Sequence, residues 1–221
     1  MIVVIGSPIG RSIDGVVAAA GTASRVALVA AGAGRSVQLV GKIGDDSTAD
    51  SVLLDLVRGG VGHVALLRDP ARATPLEPPS VERHGADWQA DDEVRAVLPA
   101  DGFPADAPTL EAADVDLGLR YLTEFAVVVL AEPVDPETVA IVAEAARWGE
   151  ARMVLVIGAG ESAPDGLPPD VVVFGAPDAD PDGVFATLVG SFAAALDHGI
   201  EPGEAFRESI VSDGWTESAP D

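Results

Sequence analysis

Residues 36–58 read SVQLVGKIGDDSTADSVLLDLVR, and their order of patterns decides the fold. Ser36 to Gly41 is a short aliphatic run closed by glycine, as in a strand buried on both faces. A G-D-D turn follows at 44–46. Ser47 and Asp50 stand three apart as a capping box, and Val52, Leu53, Leu56 and Val57 then recur at helical spacing until Gly59-Gly60 stops the helix. His63 to Leu67 reads as the next strand. A strand, a helix and a strand in this order form a βαβ unit, which sets the two strands parallel in one sheet with the helix on its face.

The same rhythm extends outward. Met1 to Gly6 (MIVVIG) is a β-branched run that predicts a buried strand. Val16, Val17, Ala20, Val26, Val29 and Ala30 predict a helix from Ile13 to about Ala33, broken by Gly21 and closed by Gly32 and Gly34. Downstream, Phe125 to Ala131 predicts a strand, then Asp135 as N-cap and Pro136 as first helical residue open a helix to about Trp148. Met153 to Ile157 and Val171 to Phe174 are further strands. Asp180-Pro181 starts a helix whose buried stripe is Phe185, Leu188, Val189, Phe192, Ala195 and Leu196. Glu201-Pro202 opens a last short helix with Ala205, Phe206 and Ile210. The expected class is α/β, a doubly wound, mostly parallel sheet flanked by helices, forming one domain over 1–212. Residues 69–113 are an irregular excursion from it, long enough to be functional or a plain surface insertion, and 213–221 a frayed tail.

Composition narrows the functions available. Of 221 residues 48% are apolar, ample for a core, and 36 acidic residues against 13 Lys and Arg give a net charge of −23. Such a chain repels a phosphate backbone, which excludes nucleic acid as a partner. The acids are scattered, as on a solvated surface. No apolar stretch reaches the roughly 18 residues of a membrane helix, and Met1 to Gly6 lacks the features of a signal peptide, so a cytoplasmic location without membrane attachment is expected. Cysteine is absent, which removes disulfides, thiolate metal sites and a Cys nucleophile. Histidines at 63, 84 and 198 have no metal-ligand spacing, and no Ser-His-acid arrangement can be argued from them. Gly158-Ala159-Gly160-Glu161 follows a strand but is not a P-loop, since the lone lysine, Lys42, is far away. Gly6-Ser7-Pro8-Ile9-Gly10 reads as a strand-to-helix turn or a phosphate cradle.

Three segments resemble landmarks of the ribokinase-like (PfkB) carbohydrate kinases. VQLVGKIGDDSTADSVLLDLVR is similar to that family's strand, G-x-x-G-D-D turn and helix. VVVLAEPVDPETVAIVAEAARWGEARMVLVIG with DVVVFGAP resembles its central strand, helix and following strands. GSFAAALDHGIEPGE, from Gly190 to Glu204, resembles the helix after its catalytic G-A-G-D turn. The resemblance implies sugar contacts at Asp14, Gly21, Arg25, Gly41 and Asp45, and nucleotide contacts at Asp178 and Gly183. It implies ATP and Mg²⁺ as co-reactants if the chain is a kinase, a sugar or nucleoside as ligand, and a possible homodimer.

Departures from the family pattern are specific. The chain contains no asparagine, so neither the sugar-binding G-G-x-x-x-N nor the magnesium-linked N-x-x-E can be intact. Ala20-Gly21-Thr22-Ala23-Ser24-Arg25 sets Arg25 where the first Asn would stand. An ungapped register puts Gly183, Val184, Phe185 and Ala186 on G-A-G-D and replaces the base by alanine. A second register makes Asp182 the base, although Asp180 and Asp182 also read as helix caps. The strands expected between Val173 and Phe185 are missing. The favoured expectation is a ribokinase-like protein that binds a small molecule or partner without phosphoryl transfer. An active sugar or nucleoside kinase using Asp182, and a structural or oligomeric subunit, are the alternatives.

Overall fold

The computed structural model describes residues 1–77, 107–180 and 182–212, the side chains of 211 and 212 excepted. Its elements run β1 (Ile2–Ile5), β2 (Ile9–Ile13), β3 (Val16–Ala20), α1 (Gly21–Gly32), β4 (Val37–Gly44), α2 (Ser47–Arg58), β5 (Val61–Asp69), α3 (Ala112–Arg120), β6 (Val127–Leu130), α4 (Pro136–Trp148), β7 (Arg152–Ile157), β8 (Val172–Gly175), α5 (Val184–Asp197) and α6 (Pro202–Ser212). Six strands form one sheet in the order β5-β4-β1-β6-β7-β8, every pairing parallel.

Two cores follow from the two-residue period of the strands. On β1, Ile2 and Val4 belong to a cluster with Val26 and Ala30 of α1, Val52 and Leu56 of α2, Val189 and Phe192 of α5 and Ala205 of α6. Val3 and Ile5 point the other way, into a cluster with Val115 and Leu119 of α3 and Val142 and Ala146 of α4. Helices therefore cover both faces, and all four β1 side chains are fully buried. Each contributes roughly 2 kcal/mol by leaving water. The ring of Phe174 meets those of Phe192 and Phe185 edge-on, with centroids 5.2 and 6.4 Å apart.

The helix expected over 13–33 is shorter, because Asp14 and Gly15 take left-handed backbone with φ of 50° and 79°. An Asp-Gly pair in that conformation makes a two-residue hairpin turn, so 9–20 form the antiparallel pair β2–β3 and α1 starts only at Gly21. Segment 75–77 joins this hairpin: Gly10 N–H donates to Pro75 O at 2.8 Å and Glu77 N–H to Gly10 O at 2.7 Å. The cap of α2 is Asp46, which accepts from Ala49 N–H at 2.7 Å, in place of the expected Ser47 box. The Asp180 carboxylate does cap α5, which begins at Val184. Most of the expected excursion, 78–106, lies outside the described residues, as do Pro181 and the tail after 212. Of its ends, the first continues β5 to Asp69, and the second leads through a Glu111–Asp114 capping box into α3, which sequence patterning had not revealed.

Among the described residues no helix is long and apolar enough to cross a membrane.

Candidate functional site

Strand order reverses at β1: the chain builds β4 and β5 on one side, then returns to lay β6 on the other. In an open α/β sheet the crevice at the carboxyl ends of the two strands flanking such a reversal is where ligands sit. Here those ends are Gly6-Ser7 after β1 and Ala131-Glu132 after β6. Gly6 lets three elements converge, since a β-carbon on it would lie 2.7 Å from Cβ of Ala23 in α1 and 3.1 Å from Cδ of Glu132. Gly41 has a similar role beside it, where any side chain would strike the Gly6 carbonyl oxygen.

Glu132 is the chemically distinctive group of this crevice. Ser7 N–H donates to its Oε1 at 2.7 Å. As a residue Glu132 is partly exposed, but its carboxylate end is enclosed, and burial pushes the carboxyl up to about 7 while the Ser7 N–H opposes that rise. A carboxyl poised near neutrality can accept from, or donate to, a hydroxyl of a bound ligand. Sequence reasoning missed it. The local signal was a carboxylate at the end of the buried run VVVLA, but its meaning depends on β6 lying next to β1.

At the start of α1 and the turn before α5, four of the sequence-derived residues come together. Arg25, in the first turns of α1, reaches across to the turn before α5, where its Nη1 donates to the Asp182 carbonyl oxygen at 3.0 Å. Its side chain lies on Gly183, whose φ of 68° is left-handed and whose missing β-carbon would otherwise collide with Cδ, Nε and Cζ of Arg25. Gly21, with φ of 83°, opens α1 close by. Asp182 is exposed.

Phosphate binding at α5 would need its first N–H groups, which a helix N-terminus presents to an anion. Two of them are already engaged. Asp180 accepts from Phe185 N–H at 3.1 Å and from Ala186 N–H at 3.0 Å, while Thr187 N–H bonds to Gly183 O. The loop after β7 is satisfied in the same manner, since Gly158 N–H donates to Glu161 Oε2 at 3.0 Å.

The remaining sequence-derived residues stand apart. Asp45 accepts from Arg68 at 3.1 Å and is exposed, so the G-D-D turn works as architecture: Asp46 accepts from Thr74 N–H at 2.7 Å, and Gly44 N–H donates to Thr74 Oγ1 at 3.0 Å. Burial alone would raise the Asp46 carboxyl, but its hydrogen bonds from Ala49 and Thr74 hold it below the usual carboxylate range. Asp14 sits exposed at the hairpin tip, a consequence of the turn that replaced the expected helix. Asp178 is exposed in the loop after β8. Among the described residues no three His, Asp or Glu side chains gather in a way that could hold a metal ion.

Known structures share this architecture along the whole chain. Ribokinase of Arabidopsis thaliana, solved with ribose and ATP, superposes with a TM-score of 0.64 over 100% of this chain and 93% of that one, at 14% identity. A PfkB protein from Polaromonas sp. JS666 gives 0.63 over 97% and 94%, at 13% identity. The protein Sa239 gives 0.64 over 100% and 94%, at 12% identity. No family model matches the chain, and no curated protein matches it in sequence. At these identities the likeness establishes the fold, and the fold is ribokinase-like.

Proposed function

We propose that this ribokinase-like chain binds a small hydroxylated molecule, a sugar or nucleoside, in the crevice between β1 and β6 and does not transfer phosphate to it. One observation carries the reading. The N–H groups of Phe185 and Ala186, which a kinase on this scaffold would direct at its phosphates, are held by Asp180 of the same chain. A carboxylate in that position also repels a phosphate electrostatically. Phosphoryl transfer further needs a base held close to the transferred group, where the ungapped register of the family's catalytic turn sets Ala186. What supports binding is the crevice itself, with Glu132 as a hydroxyl partner and the Ser7 N–H orienting it.

The active-kinase reading keeps one observation in its favour, the exposed Asp182 immediately before Gly183. The two are separated by incubating the purified chain with ATP, Mg²⁺ and a panel of sugars and nucleosides. The expected result is no ADP release above that of Asp182→Ala, together with a ligand-dependent rise in Tm that Glu132→Gln diminishes. At a ligand concentration of about 100 Kd the gain is about 2.7 kcal/mol, or roughly 5–10 °C for a chain of this size. ADP release that Asp182→Ala abolishes would overturn the proposal.

A further inference from the structure

Strand β8 is one edge of the sheet. Ala176 N–H donates to Ile157 O of β7 at 2.9 Å, so by the alternation of a strand the N–H and C=O groups of Val172 and Phe174 also face β7, and those of Val173 and Gly175 face outward. Among the described residues none accepts from the N–H of Val173 or Gly175. Gly175 is exposed, and a β-carbon on it would meet nothing within 4 Å. The opposite edge differs. Gln38 and Val40 of β4 pair with Gly62 and Ala65 of β5, so β5 carries a bulge, a device that turns an edge away from further pairing. β8 pairs with β7 in unbroken register.

The groups around this edge define what it would accept. Phe206 of α6 stands beside Phe174, with ring centroids 6.1 Å apart, and is 41% exposed. Asp170 and Asp178, both exposed, flank the two ends of β8. From 153 to 206 the sequence has no Lys or Arg. Of the arginines on adjacent elements, Arg152 at the start of β7 pairs with Glu201, while Arg147 and Arg207 donate to the Gly166 and Gly203 carbonyls. The acidic ends also disfavour a second copy of the chain. In the antiparallel register that sets Val173 against Gly175 of another molecule, Asp170 would face Asp178, and like charges directly opposite destabilise a strand pair.

We propose that β8 docks an extended, basic segment of a partner protein as an added strand of the sheet. The outward backbone groups of Val173 and Gly175 supply the pairing, and Phe206 offers a contact for one apolar side chain of the segment. Asp170 and Asp178 attract Lys or Arg at its two ends and set the choice of partner. This edge lies two strands beyond β6, so its occupation does not depend on a ligand in the crevice.

Calorimetric titration of the full chain with the peptide RRVTVTVRR tests the proposal, with EEVTVTVEE and RRVPPPVRR as comparisons. The last has the same charge but lacks the central N–H groups. Only RRVTVTVRR should bind. Gly175→Pro removes one outward N–H without touching the pairing to β7, and it should weaken binding about tenfold. Asp170→Asn combined with Asp178→Asn should weaken it about fivefold. Glu124→Gln combined with Glu144→Gln, an equal change of net charge away from β8, should leave it unchanged. Circular dichroism establishes that the variants fold, and the two arginine peptides decide the question if Gly175→Pro does not. Absence of binding, equal binding of RRVPPPVRR, or equal affinity of wild type and Gly175→Pro for RRVTVTVRR overturns the proposal. So does self-association of the wild type, measured by sedimentation, that Gly175→Pro abolishes, since the edge would then take a second copy.

Discussion

Arg25 and Gly183 depend on one another. The arginine side chain lies where a β-carbon of residue 183 would be, and its Nη1 bonds to the neighbouring Asp182 carbonyl. Gly183→Ala therefore carries two costs, about 1 kcal/mol for a left-handed alanine and a comparable amount for displacing the guanidinium. In an Arg25→Ala background only the first should remain. A double-mutant cycle by urea denaturation checks this, and additive effects would contradict the contact.

Glu132 makes stability depend on pH in a stated direction. Its carboxyl titrates near 7 in the fold and near 4.3 in an unfolded chain, so between these values the folded state holds the extra proton. Stability must then fall as pH rises from about 4.5 to about 7. A shift of this size corresponds to at most about 4 kcal/mol, an upper bound for a residue with some solvent access. Glu132→Gln keeps an acceptor for Ser7 N–H and removes the titration. Urea midpoints at pH 5 and 7.5 should converge in the variant relative to wild type, and parallel profiles would refute the assignment.

Asp180→Ala should destabilise the chain by about 1 kcal/mol through loss of the α5 cap. It should also leave the N–H groups of Phe185 and Ala186 open to anions. Sulfate at tens of millimolar should raise the Tm of this variant more than that of wild type. An equal response in both would show that Asp180 does not guard the helix end.

Asp46→Ala is expected to cost about 2 kcal/mol, more than an ordinary cap, because one carboxylate holds both Ala49 N–H and Thr74 N–H. As its folded carboxyl titrates low, its contribution is fully present above the unfolded value near 3.9 and is lost as pH falls through the folded one. The stabilities of wild type and variant should approach one another as pH falls below that unfolded value. A persistent gap there would argue that the loss arises from packing.

Features written in short windows of sequence were the legible ones. Asp135 with Pro136 and the continuous aliphatic strand runs each specify an element from within a few residues. The hairpin was lost because Val16, Val17 and Ala20 fit a helical stripe as well as a strand. Ala18, Ala19 and Ala20 favour helix intrinsically, and pairing with β2 overrides them. The Asp14-Gly15 turn was the competing signal, and it was the stronger one. Helix α3 escaped because its nine residues include Gly118 and carry a thin apolar stripe. At the site, Asp180 was readable as a cap, whereas Glu132 acquires meaning only from the strand order, which no local window encodes.

That strand order also gives the molecule an internal clock. β1 is the seam between β4–β5 and β6–β8, and Ile2 and Gly6 donate their N–H groups to the β4 side. By the alternation of a strand Val4 does the same, while Val3 and Ile5 face β6. Deuterium uptake at two adjacent amides, Val4 and Ile5, thus times the release of the two halves of the sheet separately. Equal rates mean that the halves part together, and unequal rates identify the half that opens first.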